Sequence, residues 1–207
     1  KAWMQRRHDW EGKEEWMVPV SGIVPGLKAA VNTFTQPGDE VLVFKPVYYP
    51  FDLSVEENGR KLVPFEMTFK EDHYELDFDA LDKFLQDHSV EMSILCSPHN
   101  PIGKVWSEKA QKKLGELFKK YGIFVVSDEI HMDLIHQNCR HIPFLKANPD
   151  LQDQSIVCTA PSKTFNLAGL QTSVLMVPSE QNRKKLNHYI SRSGMTPPGI
   201  LGMTAAA

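Results

Sequence analysis

Ser155-Ile156-Val157-Cys158-Thr159-Ala160-Pro161-Ser162-Lys163-Thr164-Phe165-Asn166-Leu167-Ala168-Gly169-Leu170 decides the fold: it reads as a buried strand that opens into a small polar turn. Residues 155–159 form a short run of strand length, and residues 174–177 supply a second one after the turn. Lys163 therefore stands just past the carboxyl end of a strand, which is where open α/β sheets bind ligands. A lone lysine in a loop is ordinarily a solvated charge, since Lys is seldom buried unless paired. A chemical role for Lys163 thus depends on what the rest of the chain brings to the same edge.

Working outward, the pattern of the turn repeats. The run at 123–127 ends in Asp128-Glu129-Ile130-His131, and the run at 92–96 leads into Ser97-Pro98-His99-Asn100-Pro101-Ile102-Gly103. The run at 40–45 leads into Pro46-Val47-Tyr48-Tyr49-Pro50, where two prolines stiffen the backbone around two aromatics. At 16–20 a short apolar run meets Ser21-Gly22-Ile23-Val24-Pro25-Gly26, a strand, glycine turn and helix start that would leave backbone N–H groups pointing at an anion. With the run at 60–65 this makes seven short strands. They are separated by helical patterns at 27–34, 52–58, 79–86 and 107–121, the last with Ser107 as N-cap and Gly122 at its C-terminal cap. Residues 66–76 read as a looser stretch and 138–150 as an irregular loop. Strands alternating with helices imply βαβ units, hence a three-layer α/β/α domain on a mainly parallel seven-stranded sheet. Parallel strands bring their carboxyl ends to one edge, so Tyr48, Asn100, Asp128, His131 and Lys163 should converge there.

The 207 residues, 42% hydrophobic and 24% charged with a formal net charge of −3, suit one large globular domain. The balance lacks the basic face that phosphate backbones call for, so no nucleic-acid partner is expected. No apolar run of transmembrane length and no signal-peptide pattern is present, and a cytoplasmic location is the default expectation. Cys96, Cys139 and Cys158 show no metal-ligand spacing and fit a reducing compartment; no metal site is expected. Lys1 in place of an initiating Met, and a closing Gly202-Met203-Thr204-Ala205-Ala206-Ala207 that reads as the opening of a helix, are what a fragment would show.

The converging residues describe a ligand. An anion would sit on the amides of Gly22, Ile23 and Val24, helped by the hydroxyl of Ser21 or Ser162. An aromatic ring would lie against Tyr48, or against Tyr49 if the register slips by one. Asp128 at the end of a buried strand could hold a protonated ring nitrogen, Asn100 could donate to a ring oxygen, and Lys163 could attack an aldehyde. Pyridoxal 5′-phosphate has all of these groups.

The motifs Ser97 to Trp106, Ser127 to Leu134 and Ala160 to Leu170 resemble those of fold-type I pyridoxal-phosphate enzymes of the class I/II aminotransferase group. More narrowly they are similar to the MalY/PatB-like branch of cystathionine β-lyase-like carbon–sulfur lyases. The resemblance covers the chain from Trp10 onward and implies a role for each position. Lys163 would be the catalytic Schiff-base lysine, Asp128 the partner of the ring nitrogen, and Asn100 a donor to the phenolic oxygen. His131 would lie at that same oxygen, Tyr48 would stack on the ring, and Ser162 with the amides of Gly22, Ile23 and Val24 would bind phosphate. Trp106 and His99 read as scaffold. The activity implied is α,β-elimination from a sulfur-containing amino acid, giving a thiol, pyruvate and ammonia. An aminotransferase is the nearer alternative, because the same residues serve both outcomes, and a non-catalytic binding protein is a second one. A Rossmann-type nucleotide binder is disfavoured, as no G-x-G-x-x-G follows the first strand. Residues 1–15 would be a connector, 16–190 the cofactor-binding large domain, and 191–207 the start of a connection to a small domain missing here. That missing part normally brings the arginine for the substrate carboxylate, and neither Arg183 nor Arg192 matches its motif. The full-length relative is expected to be a homodimer, and the chain alone poorly active or inactive.

Overall fold

The computed structural model describes residues Lys1–Ala207. Its sheet has seven strands: β1 (Met17–Val20), β2 (Glu40–Lys45), β3 (Lys61–Glu66), β6 (Val90–Cys96), β7 (Phe124–Asp128), β8 (Ser155–Thr159) and β9 (Ser173–Met176). They lie in the order β1-β9-β8-β7-β6-β2-β3, with every pair parallel except β8–β9 and β9–β1. The mainly parallel seven-stranded sheet expected from the alternation is therefore present.

Side-chain alternation along each strand divides the core in two. Leu42, Phe44, Leu95, Val125 and Val157 point to one face, where they meet α4 (Phe78–Asp87), α5 (Glu108–Tyr121) and α6 (Phe144–Ala147) through Leu81, Leu85, Leu114, Phe118 and Phe144. Val41, Val43, Ile94, Val126 and Ile156 point to the other. There they meet α2 (Ile23–Phe34), α3 (Pro50–Glu56) and α8 (Glu180–Arg192) through Leu27, Val31, Phe51, Val55 and Leu186. Each such fully buried side chain contributes about 1.5–3 kcal/mol of apolar transfer, so both helical layers are held by the strands' period of two.

The helix ends follow from local chemistry. Ser107 Oγ accepts from the Ala110 amide at 3.2 Å and Gly122 closes α5 at φ 69°, as the sequence indicates. Asp77 caps α4 by accepting from the amides of Asp79 and Ala80. Three elements differ from the sequence expectation. Helix α2 begins at Ile23 rather than residue 27, with Pro25 tolerated in its first turn. Residues 66–76 contain an exposed hairpin, β4 (Thr68–Lys70) and β5 (His73–Glu75), which lacks a buried face that would mark it in sequence. Residues 138–150 are not wholly irregular, because α6 and a 3₁₀ turn at Pro149–Gln154 form where Phe144, Leu145 and Ala147 are buried. Two short helices complete the chain: α1 (Ala2–His8) at its start and α9 (Ile200–Ala206) at its end. A single helical turn, α7 (Pro161–Thr164), carries Lys163.

The strand order places the site. From β2 the chain moves outward to β3, whereas from β6 it crosses to β7 and then β8 on the opposite side. The order thus reverses between the neighbours β2 and β6, and a crevice opens outside their carboxyl ends.

Candidate active site

Tyr48 follows β2, and Asn100 follows β6. The Tyr48 amide donates to the Asn100 carbonyl at 3.0 Å, which ties the two strand ends together across the switch point. Cys96, the last residue of β6, accepts from the Asn100 amide through its sulfur at 3.3 Å. Below this turn Trp106 Nε1 donates to the Cys96 carbonyl at 2.9 Å and His99 Nε2 donates to the Pro46 carbonyl at 2.8 Å. Both rings are buried, and both act as scaffold. Burial pushes His99 down to about 4, so the imidazole that braces the turn is neutral.

A cavity of about 160 Å³ lies at this edge. Ile23, Val24, Tyr48, Asn100, Asp128, His131 and Lys163 line it, and Leu27, Phe51, Cys96 and Ile130 complete its walls. Seven of the nine residues expected at the site thus share one cavity. Gly22 and Ser162 do not line it. The Gly22 amide donates to the Val20 carbonyl at 2.9 Å and so is spent on the turn, for which φ of 115° suits glycine. The amides of Ile23 and Val24 instead open α2 without intrahelical acceptors, the arrangement that favours an anion. Ser162 precedes Lys163 on the single turn of α7, where successive side chains point roughly 100° apart, so only one of the two faces the cavity. Tyr48 lines the cavity, whereas Tyr49 is 66% exposed and does not.

Electrostatics at the floor are unusual. Asp128 is buried, and burial raises its carboxyl to about 7, against the opposing hydrogen bond from the Ile130 amide at 3.2 Å and the charge of Lys163. Its neighbour Glu129 adds to the upward push. The contrast with Glu129 is informative: Glu129 points into the protein and accepts from Ser127 Oγ, His141 Nε2 and the Phe144 amide at 2.8–2.9 Å. Asp128 has one such donor and faces the cavity, so a cationic donor placed there would satisfy it. Burial, and then the positive charge of Lys163, push His131 down, leaving a neutral ring that can donate a hydrogen bond beside Asn100.

Residues 2–205 match the family model described as aminotransferase class I and II. The chain belongs to that family. Cystathionine β-lyase PatB of Bacillus subtilis is 44% identical to it over 204 residues, which is 99% of this chain and 53% of that protein. Among solved structures, cystalysin from Treponema denticola, which contains a pyridoxal 5′-phosphate cofactor, superposes with a TM-score of 0.94 at 37% identity over 99% of this chain and 52% of its own. The pyridoxal-phosphate-bound C-S lyase of Staphylococcus hominis gives 0.91 at 32% identity, over 99% and 50%. The chain spans about half the length of the relatives it matches. Family membership and the three-layer fold agree with the motifs at 97–106, 127–134 and 160–170. The apolar wall of Leu27, Phe51 and Ile130 escaped sequence reasoning, because nothing separates these residues from ordinary core until the strand order is known.

Proposed function

We propose that this chain is the cofactor-binding part of a pyridoxal-phosphate-dependent carbon–sulfur β-lyase acting on a sulfur-containing amino acid such as cystathionine. The observation that carries the reading is the meeting of Lys163, an under-compensated buried Asp128, Asn100, His131 and Tyr48 in one cavity at the switch point. The donor set fits pyridoxal 5′-phosphate: a carboxylate for its ring nitrogen, an amide for its phenolic oxygen, a phenol ring for its face and a helix start for its phosphate.

When bound, pyridoxal 5′-phosphate supplies an aldehyde that condenses with amines and a ring that withdraws electrons from the α-carbon. Lys163 brings the resting amine to that aldehyde. With a substrate amine bound in its stead, Lys163 Nζ would be the base placed to take the α-proton. Asp128, as a carboxylate, would keep a proton on the ring nitrogen through a charge-assisted hydrogen bond. Asn100 and His131 would hold the phenolic oxygen, Tyr48 would lie against the ring, and the amides of Ile23 and Val24 would bind the phosphate. Leu27, Phe51 and Ile130 keep water from the reacting face. A thioether sulfur on the β-carbon would leave as the thiolate and take up a proton, and one water would convert the released three-carbon enamine to pyruvate and ammonia. The PatB and C-S lyase relatives support this outcome over transamination.

We take 16–190 as the cofactor domain and 191–207 as the lead into a further domain of the longer protein, which supplies the substrate-carboxylate arginine and dimerises. Ser162 and Gly22 serve the phosphate site as turn formers. A cytoplasmic setting accords with three free thiols, and no helix is long and apolar enough to cross a membrane. The test uses chain and cystathionine at comparable concentrations with pyridoxal phosphate and no 2-oxo acid, so that slow turnover registers. Pyruvate and homocysteine that vanish with Lys163→Ala are expected. Formation instead of the 2-oxo acid that keeps the whole carbon skeleton of cystathionine would assign an aminotransferase.

A further inference from the structure

The segment after β7 carries one more carboxylate, Asp133, that the chemistry above does not use. Its side chain is 7% exposed, yet it lies off the wall of the cofactor cavity. One oxygen accepts from Trp3 Nε1 at 3.0 Å and from Thr164 Oγ1 at 2.7 Å, and the other accepts from His8 Nε2 at 2.9 Å. Arg7 Nε stands 3.8 Å away. Trp3, Arg7 and His8 belong to α1, and Thr164 is the residue after Lys163. A second contact joins the same two elements, because the Trp3 ring meets the Phe165 ring edge-on with centroids 4.9 Å apart.

The lysine turn has little else to hold it. None of the residues of α7 is buried, and the amides of Phe165 and Leu167 bond back to Pro161 and Ser162 within the turn itself. A segment with only local bonds and exposed surface opens at low cost. A charge-assisted bond to a buried carboxylate is stronger than a neutral one and is the principal tether available. Burial by itself would raise the Asp133 carboxyl, but the hydrogen bonds from His8, Thr164 and Trp3 outweigh it and hold the group at about 2, so the acceptor stays ionised.

We propose that Asp133 is a positioning residue: it docks the N-terminal helix α1 and the lysine turn onto the segment that follows Asp128, and so holds Lys163 at the cavity. This rests on the reading of Lys163 as the cofactor's anchor. Docking of α1 then governs how readily that lysine meets the cofactor, although α1 itself contributes nothing to the cavity wall.

The test compares the full chain with Asp133→Asn, Thr164→Val and the double variant by amide hydrogen exchange without cofactor. Borohydride trapping then gives the rate at which pyridoxal phosphate becomes fixed to Lys163. Asp133→Asn should speed exchange roughly tenfold or more over residues 160–167 and over α1, with α5 unchanged, and should slow capture to a similar degree. Thr164→Val, which removes only the donor on the turn, should act on 160–167 and leave α1 protected. The double variant should fall short of the sum of the two single effects at the turn, since both changes act on one bond. Unaltered exchange of 160–167 in Thr164→Val, or fully additive effects in the double variant, would overturn the proposal, and Thr164→Val decides even if Asp133→Asn unfolds. A parent chain that captures no pyridoxal phosphate would sink the anchor reading. Capture equally fast in the parent and both single variants would overturn the positioning role alone.

Discussion

Asp128 sits in the fold as a stability liability, which the proposed role at a cofactor's ring nitrogen would explain. In the unfolded chain its carboxyl has the ordinary value of 3.8, and in the fold burial raises it to about 7. Between those pH values the folded state keeps a proton that the unfolded state has released. The stability this group confers is complete below pH 3.8 and is lost as pH rises through about 7, at roughly 1.4 kcal/mol for each pH interval of one between the two values. Asp128→Asn should therefore stabilise the cofactor-free chain at pH 8 by a few kcal/mol, be close to neutral at pH 4, and weaken pyridoxal phosphate binding by roughly tenfold or more. Urea unfolding of both chains at the two pH values reads this directly. His99, held down at about 4, titrates in the opposite sense over part of the window, but it is common to both chains and cancels in the difference. An Asn variant less stable than the parent at pH 8 would show that Asp128 is compensated by something else in the fold. The place of Asp128 at the cavity was legible in sequence from its position at a strand end. The hydrogen bonds of Asp133 were not, because its partners Thr164 and Trp3 lie 31 and 130 residues away along the chain.

At the scale of elements, α2 carries the proposed anion site, and its seat on the sheet is set by Gly26. A Cβ there would meet Val20 Cγ2 at 3.1 Å and Leu175 Cδ2 at 3.2 Å, so the glycine lets the helix lie close to β1 and β9. Gly26→Val should push α2 off the sheet, cost about 1–3 kcal/mol and weaken both pyridoxal phosphate and competing inorganic phosphate. Gly115 provides the comparison on the opposite layer: an added Cβ would fall 2.0 Å from Asn148 Oδ1, against the face of α5. Gly115→Ala should destabilise the fold by a similar amount and leave cofactor affinity unchanged. Thermal melts paired with cofactor titration distinguish the two, and equal losses of affinity would deny α2 its special part. The continuous apolar run Val41-Leu42-Val43-Phe44 announced β2 in advance. The α6 turn was hidden because its formation depends on a distant group, Glu129, which takes the Phe144 amide.

For the whole molecule, the strand order does what no single motif does. Reversal between β2 and β6 brings residues from positions 23, 48, 100, 128, 131 and 163 to one cavity, although alternation in the sequence indicated only that strand ends would share an edge. The order itself, and the antiparallel placement of β9 and β1, depend on crossover connections that local pattern does not encode. Because the chain spans about half of its relatives' length, cofactor capture and full turnover are separable properties. The chain is expected to bind pyridoxal phosphate through its own residues while turning over slowly. The direct test of the central claim is to reduce the chain with borohydride after incubation with pyridoxal phosphate and to map the modified lysine by peptide mass. One label, on Lys163, with none retained by Lys163→Ala is the expected result. An unlabelled parent, or a label spread over surface lysines and unchanged in Lys163→Ala, would contradict it.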